Sequence, residues 1–89
     1  MRHAARTDDC QPAVIEALRA MGCKVCYIKE PVDLLVWCRG RTFLVEVKDA
    51  DGRLNKKQLE FIASWPGELH VVRGPQEAVN AALGKEKLL

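Results

Sequence analysis

No apolar run in this sequence approaches the ~20 residues that a membrane-spanning helix needs, so it holds no such span. The first eleven residues, MRHAARTDDCQ, lack the apolar core of a signal peptide, and a cytoplasmic protein is expected. Aromatic residues make up only 6% of the chain, and it has neither repeats nor low-complexity segments. The balance of 48% hydrophobic and 29% charged residues is that of an ordinary globular protein. The net charge is only +2, too small to imply a nucleic-acid partner by itself. Charge is unevenly placed, however. Between residues 39 and 57, six basic groups (Arg39, Arg41, Lys48, Arg53, Lys56, Lys57) outnumber three acidic ones (Glu46, Asp49, Asp51), a pattern suited to phosphate.

Metal-ligand spacing is also scarce. Of Cys10, Cys23, Cys26 and Cys38, only Cys23 and Cys26 are close, and they fall in a strand-like stretch where positions three apart face opposite sides. No second CxxC and no paired histidines complete a zinc site, so buried free thiols are expected. Eighty-nine residues make one domain, 1–89, with flexible tails expected over 1–7 and 85–89. Such a chain buries about 60–65% of the surface its unfolded form exposes. The core is therefore thin, and a homodimer is expected.

What is present is a clear alternation of element signals. Val14, Ala17, Leu18 and Met21 recur at helical spacing within 10–21; Asp8 or Asp9 can cap that helix, Pro12 fits its first turn and Gly22 ends it. KVCYI (24–28) reads as a strand, and two apolar, β-branched stretches flank Arg39-Gly40. Asn55 can cap a second helix, KKQLEFIASW, with Leu59, Ile62 and Ala63 inward and Pro66-Gly67 as its stop. ELHVVR is a fourth strand and PQEAVNAALG a last helix. The order α-β-β-β-α-β-α predicts an α/β domain whose four-stranded mixed sheet is flanked by helices, with a right-handed parallel crossover from strand three to strand four.

The middle hairpin, VDLLVWCRGRTFLVEVK (32–48), carries Asp33, Glu46 and Lys48 where charge is costly. A two-residue turn at Arg39-Gly40 pairs Trp37 with Thr42 and sets Asp33 opposite Glu46 on one face, with Lys48 beside them. A bulged turn pairs Trp37 with Arg41 instead and takes Asp33 off that face. In the first register two carboxylates lie close enough to repel unless a cation sits between them, the situation of a hard ion such as Mg²⁺. Ordinarily an ExK in a strand is a surface ion pair. Here Leu35, Trp37 and Leu44 share the charged face, while Leu34, Val36, Phe43, Val45 and Val47 make the other wholly apolar. Both faces are expected to be covered, with the charges at the edge of a cleft.

Asp33 followed by Glu46-Val47-Lys48 at the end of the next strand, then a helix bearing Gln58 and a strand with HVV, resembles the PD-(D/E)XK nuclease signature. The short length and the run VDLLV…FLVEVKD…KKQLEF look like the stand-alone VRR-NUC nucleases, which are similar to Holliday-junction resolvases; the similarity covers about Thr7 to Val79. It implies a restriction-endonuclease-like core and a Mg²⁺- or Mn²⁺-dependent endonuclease acting on branched or structured DNA. It also implies that Asp33, Glu46 and the carbonyl of Val47 bind metal, that Lys48 is catalytic, and that Gln58 stands beside the site. Two departures are plain. Val32 replaces the usual proline, and Ala13 stands where relatives often carry a glutamate on the first helix, with Glu16 one turn later.

Arg53, Lys56 and Lys57 are candidate phosphate contacts. Trp37 and Trp65 are expected to pack rather than stack on bases, and His70 to be partly buried in its strand. A catalytically weak or inactive DNA-binding or assembly module with the same fold is the second reading; a small redox or metal-storage protein is a remote third.

Overall fold

The structure, a computed structural model, describes residues 8–84, so the expected tails lie outside the described residues. The elements are α1 (Gln11–Ala20), β1 (Lys24–Tyr27), β2 (Leu34–Cys38), β3 (Arg41–Val47), α2 (Lys56–Ser64), β4 (Leu69–Val72) and α3 (Pro75–Leu83). This is the expected order, with element ends shifted by about one residue. One mixed sheet runs β1-β2-β3-β4, antiparallel through the first three strands and parallel between β3 and β4.

The hairpin adopts the two-residue turn. Arg39 (φ 57°) and Gly40 (φ 82°) both take positive φ, the signature of a type I′ turn whose twist matches that of the flanking strands. Cys38 therefore pairs with Arg41, Trp37 with Thr42, and the ladder runs on to Leu34 with Val45. The next position along places Asp33 opposite Glu46.

The apolar face of the hairpin is the core. Leu34, Val36, Phe43, Val45 and Val47 are buried against Val14 and Leu18 of α1 and Ala78 and Ala82 of α3. Each large side chain buried there stabilises the fold by roughly 1.5–3 kcal/mol. Small alanines on α3 let that helix lie close to its neighbours, and Gly84, at φ 74°, ends it in the left-handed conformation.

Four sequence expectations fail here. The charged face is only half covered: Leu44 is buried, but Leu35 and Trp37 are 37% and 49% exposed. In α2, the inward residues are Gln58, Phe61 and Ile62, all half-buried, while Leu59 and Ala63 are exposed. This short helix reaches β3 through the Gln58–Glu46 hydrogen bond and leaves Leu35 and Trp37 of β2 open. Trp65 likewise packs less than expected, being 39% exposed and stacked on Phe61 at 5.4 Å between ring centroids. The thiols are not all free either. Cys23 and Cys38 form a disulfide, because the β1–β2 register that pairs Lys24 with Trp37 sets the next positions side by side. Cys10 and Cys26 remain free, and Cys26 is exposed.

Neither Asp8 nor Asp9 caps α1 through its side chain; Cys10 occupies the N-cap. Asp49, immediately after β3, takes over that role from across the fold. Its Oδ2 accepts from the Asp9 N–H and its Oδ1 from the Cys10 N–H, both at 2.9 Å. The Asp49 N–H in turn donates to Asp8 Oδ1 at 3.0 Å. Arg73, just beyond β4, holds the same loop by donating to the carbonyls of Asp49 (2.8 Å) and Gly52 (2.7 Å). These bonds tie the start of α1, the end of β3 and the end of β4 into one corner of the molecule.

Candidate active site

That corner opens into a cleft of about 480 Å³ lined by Asp33, Glu46, Lys48 and Gln58 among others. Backbone direction explains the meeting of the two carboxylates. The Leu44 and Lys48 N–H groups donate to Glu68 and Val72 carbonyls on the β4 side, so even-numbered β3 residues point their backbone away from β2. Relative to β2, Asp33 and Glu46 therefore occupy a non-hydrogen-bonded position, where opposed side chains approach most closely. Val47 points its N–H the other way, and Asp33 Oδ2 accepts it at 2.8 Å. The Asp33 carboxylate thus replaces the missing rung at the end of the ladder. In an extended strand a residue's N–H and C=O leave on the same edge, so the Val47 carbonyl is directed toward Asp33 as well.

Glu46 is 2% exposed and has a fixed partner. Gln58 Nε2 donates to its Oε2 at 2.8 Å. The orientation of that amide is set by a capping box: the Asn55 N–H donates to Gln58 Oε1 (2.9 Å) while the Gln58 N–H donates to Asn55 Oδ1 (2.8 Å). With its oxygen engaged, Gln58 can present only N–H to Glu46. Lys48 Nζ lies 3.8 Å from the same oxygen, and the lysine side chain is only 15% exposed.

The electrostatics follow. Burial pushes the Glu46 carboxyl up to about 7, and the neighbouring Asp33 adds to the rise against the opposing pull of Lys48. Asp33 is also raised, chiefly by burial, with the Val47 N–H pulling it back. Neither carboxylate has enough positive charge nearby to be comfortable as an anion beside the other. Asp8 lines the cleft too and adds negative potential to both. Among the described residues, no group of three or more His, Cys, Asp or Glu forms a ready cation cage. The cleft offers a carboxylate pair, the donor set of a hard divalent ion that keeps several waters.

Asp33, Glu46, Lys48 and Gln58 are thus brought together as expected, and Lys57 lines the same cleft. Arg53 and Lys56 are exposed outside it. Glu16 faces a separate surface groove with Gln11 and Arg19, so it cannot stand in for a first-helix glutamate. Sequence reasoning missed Asp8, taken there for a helix cap, and also Tyr27, Lys29 and Phe61. For Asp8 the signal was available: the first helix lacks an inward acid, and a carboxylate just before it is the nearest substitute. The chain matches no protein-family model, no curated protein and no solved structure.

Proposed function

We propose that this protein is a Mg²⁺- or Mn²⁺-dependent DNA endonuclease with a restriction-endonuclease-like core, similar to stand-alone VRR-NUC nucleases. The observation that carries the reading is the buried Glu46, paired across the hairpin with Asp33 and touched by both Lys48 and Gln58. The donor set fits a divalent cation, since a site that holds Glu46 up near neutral pH gains from added positive charge. Asp33, Glu46 and the Val47 carbonyl would hold the ion, which when bound supplies Lewis acidity toward a phosphate oxygen and water.

The chain's own groups do the rest. Gln58 keeps Glu46 as an acceptor by offering only donors. Lys48, beside Glu46 and mostly shielded from solvent, stabilises charge developing on the phosphate or orients the attacking water. The Asp49 and Arg73 bonds hold the end of β3 so that this ammonium stays at the cleft. A homodimer would present two such sites, which suits the opposed cuts made in a four-way junction.

Incubating the protein and its Asp33→Asn variant with an end-labelled four-way junction, in Mg²⁺ and in Mn²⁺, tests the reading. Cleavage by the unmutated chain alone is expected. Binding without cleavage in either metal leaves a DNA-binding module on the same fold, and cleavage that survives the substitution overturns the site.

A further inference from the structure

The cleft is not lined by charge alone. Its β1–β2 wall carries Tyr27 and Lys29, and its α2 wall carries Lys57 and Phe61, with the carboxylate pair and Lys48 between them. Tyr27, the last residue of the edge strand β1, stands opposite Leu34 and is 53% exposed. A ring left that open contributes little to the core and is available as an apolar plane. Phe61 is already committed, stacked on Trp65, so Tyr27 is the open ring of the cleft.

Lys29 adds a second, independent observation. Its φ is 75°, in the left-handed region that a lysine enters only at a cost and that glycine enters freely. The turn is held there by two N–H groups, those of Ile28 and Lys29, which both donate to the Asp33 carbonyl at 2.9 and 3.1 Å. The strained residue is therefore locked to the backbone of the first site carboxylate. A glycine would satisfy the turn more cheaply, and the lysine that stands there lines the cleft.

Two lysines on opposite walls, an exposed ring on one of them and an anion-cleaving centre between match a nucleotide whose base is out of its stack. From this we infer that the cleft seats an unpaired nucleotide, its base stacked on Tyr27 and its flanking phosphates held by Lys29 and Lys57. The inference rests on the endonuclease reading and deepens it: the substrate is DNA in which a nucleotide at or beside the scissile bond is unpaired or can leave its pair, as at a branch point, not continuous duplex. Stacked duplex hides both faces of each base, whereas a ring beside a strand end can take only a base that is free.

The test is fluorescence anisotropy of the full chain in EDTA with two fluorescein-labelled probes of one sequence, a fork with single-stranded arms and a blunt duplex. The unmutated chain is expected to bind the fork more tightly. Tyr27→Ala should weaken fork binding about tenfold and leave the duplex unchanged, with Tyr27→Phe restoring it. Lys29→Gly relieves the positive φ, so its Tm should not fall, yet fork binding should weaken and the slope of log affinity against log salt should drop by about one. The inference is overturned if Tyr27→Ala binds the fork as tightly as the unmutated chain, or loses fork and duplex equally. It is also overturned if Lys29→Gly leaves the salt slope unchanged. An unmutated chain that cuts DNA while Tyr27→Ala binds normally sinks the stacking site alone, whereas one that binds neither probe and cuts no DNA sinks the endonuclease reading with it.

Discussion

Glu46→Gln separates the electrostatics of the cleft from its packing. Glutamine has nearly the same shape and still offers an oxygen to Gln58 Nε2, but it cannot ionise. In the folded chain the Glu46 carboxyl sits at about 7 against an ordinary 4.5. Between those pH values the native state keeps a proton that the unfolded chain has lost, so stability falls as pH rises. The contribution is fully present below about 4.5 and gone above about 7. At about 1.4 kcal/mol per pH unit, the whole difference is on the order of 3 kcal/mol. For a domain of this size that corresponds to a Tm difference of about 10–20 °C. Thermal and urea melts at pH 5 and pH 8 in EDTA, for both chains, read it directly. The unmutated chain should lose stability relative to Glu46→Gln as pH rises, and Mg²⁺ at pH 8 should restore part of it by binding the native state. Parallel pH profiles for the two chains, or a relative gain for the unmutated chain at high pH, would show that Glu46 is not held protonated in the fold.

Other consequences can be checked with single substitutions. Gly40→Ala places a side chain at φ 82° and should cost about 1 kcal/mol in urea melts, whereas Arg39→Asn suits the same turn and should be neutral or stabilising. Asn55→Ala removes the side-chain half of the capping box, the Asn55 Oδ1 that accepts from the Gln58 N–H, and should cost about 1 kcal/mol in the same melts; the Asn55 N–H that aims the Gln58 amide remains, so cleavage should be little changed. Reducing the disulfide between Cys23 and Cys38, which closes a loop of 15 residues, should lower stability by about 3 kcal/mol on comparison of melts with and without reductant. Arg73→Ala strips the donor from the Asp49 and Gly52 carbonyls, and hydrogen exchange should rise at residues 49–52 before it rises in the core strands.

Much of the site was legible because it depends on period. Alternation along 34–38 and 41–47 assigned the apolar face correctly, and once the turn closed with two residues the same period put Asp33 opposite Glu46. The turn itself was not legible. A type I′ turn ordinarily uses asparagine or glycine first, and Arg39 gives no such signal. Asp49 was equally hidden: its bonds to Asp9 and Cys10 span about forty residues, and no local pattern encodes a capping group supplied from another element. The cysteine pairing required the β1–β2 register, which a four-residue strand does not specify by composition. In α2, Leu59 and Ala63 fit an apolar stripe, yet the helix is oriented by Asn55, Gln58 and the Phe61–Trp65 stack, which turn that stripe outward.

If the hairpin carboxylates and Lys48 form a metal-dependent phosphodiesterase, cleavage depends on both the metal and the lysine. The most direct test is the single-turnover rate of cleavage of an end-labelled four-way junction across a Mn²⁺ titration, measured for the unmutated chain and for Lys48→Ala. The expected result is cleavage that saturates with metal, vanishes in EDTA and falls roughly a hundredfold or more in the variant while junction binding is kept. Cleavage indifferent to divalent metal, or Lys48→Ala cutting at the unmutated rate, would contradict it.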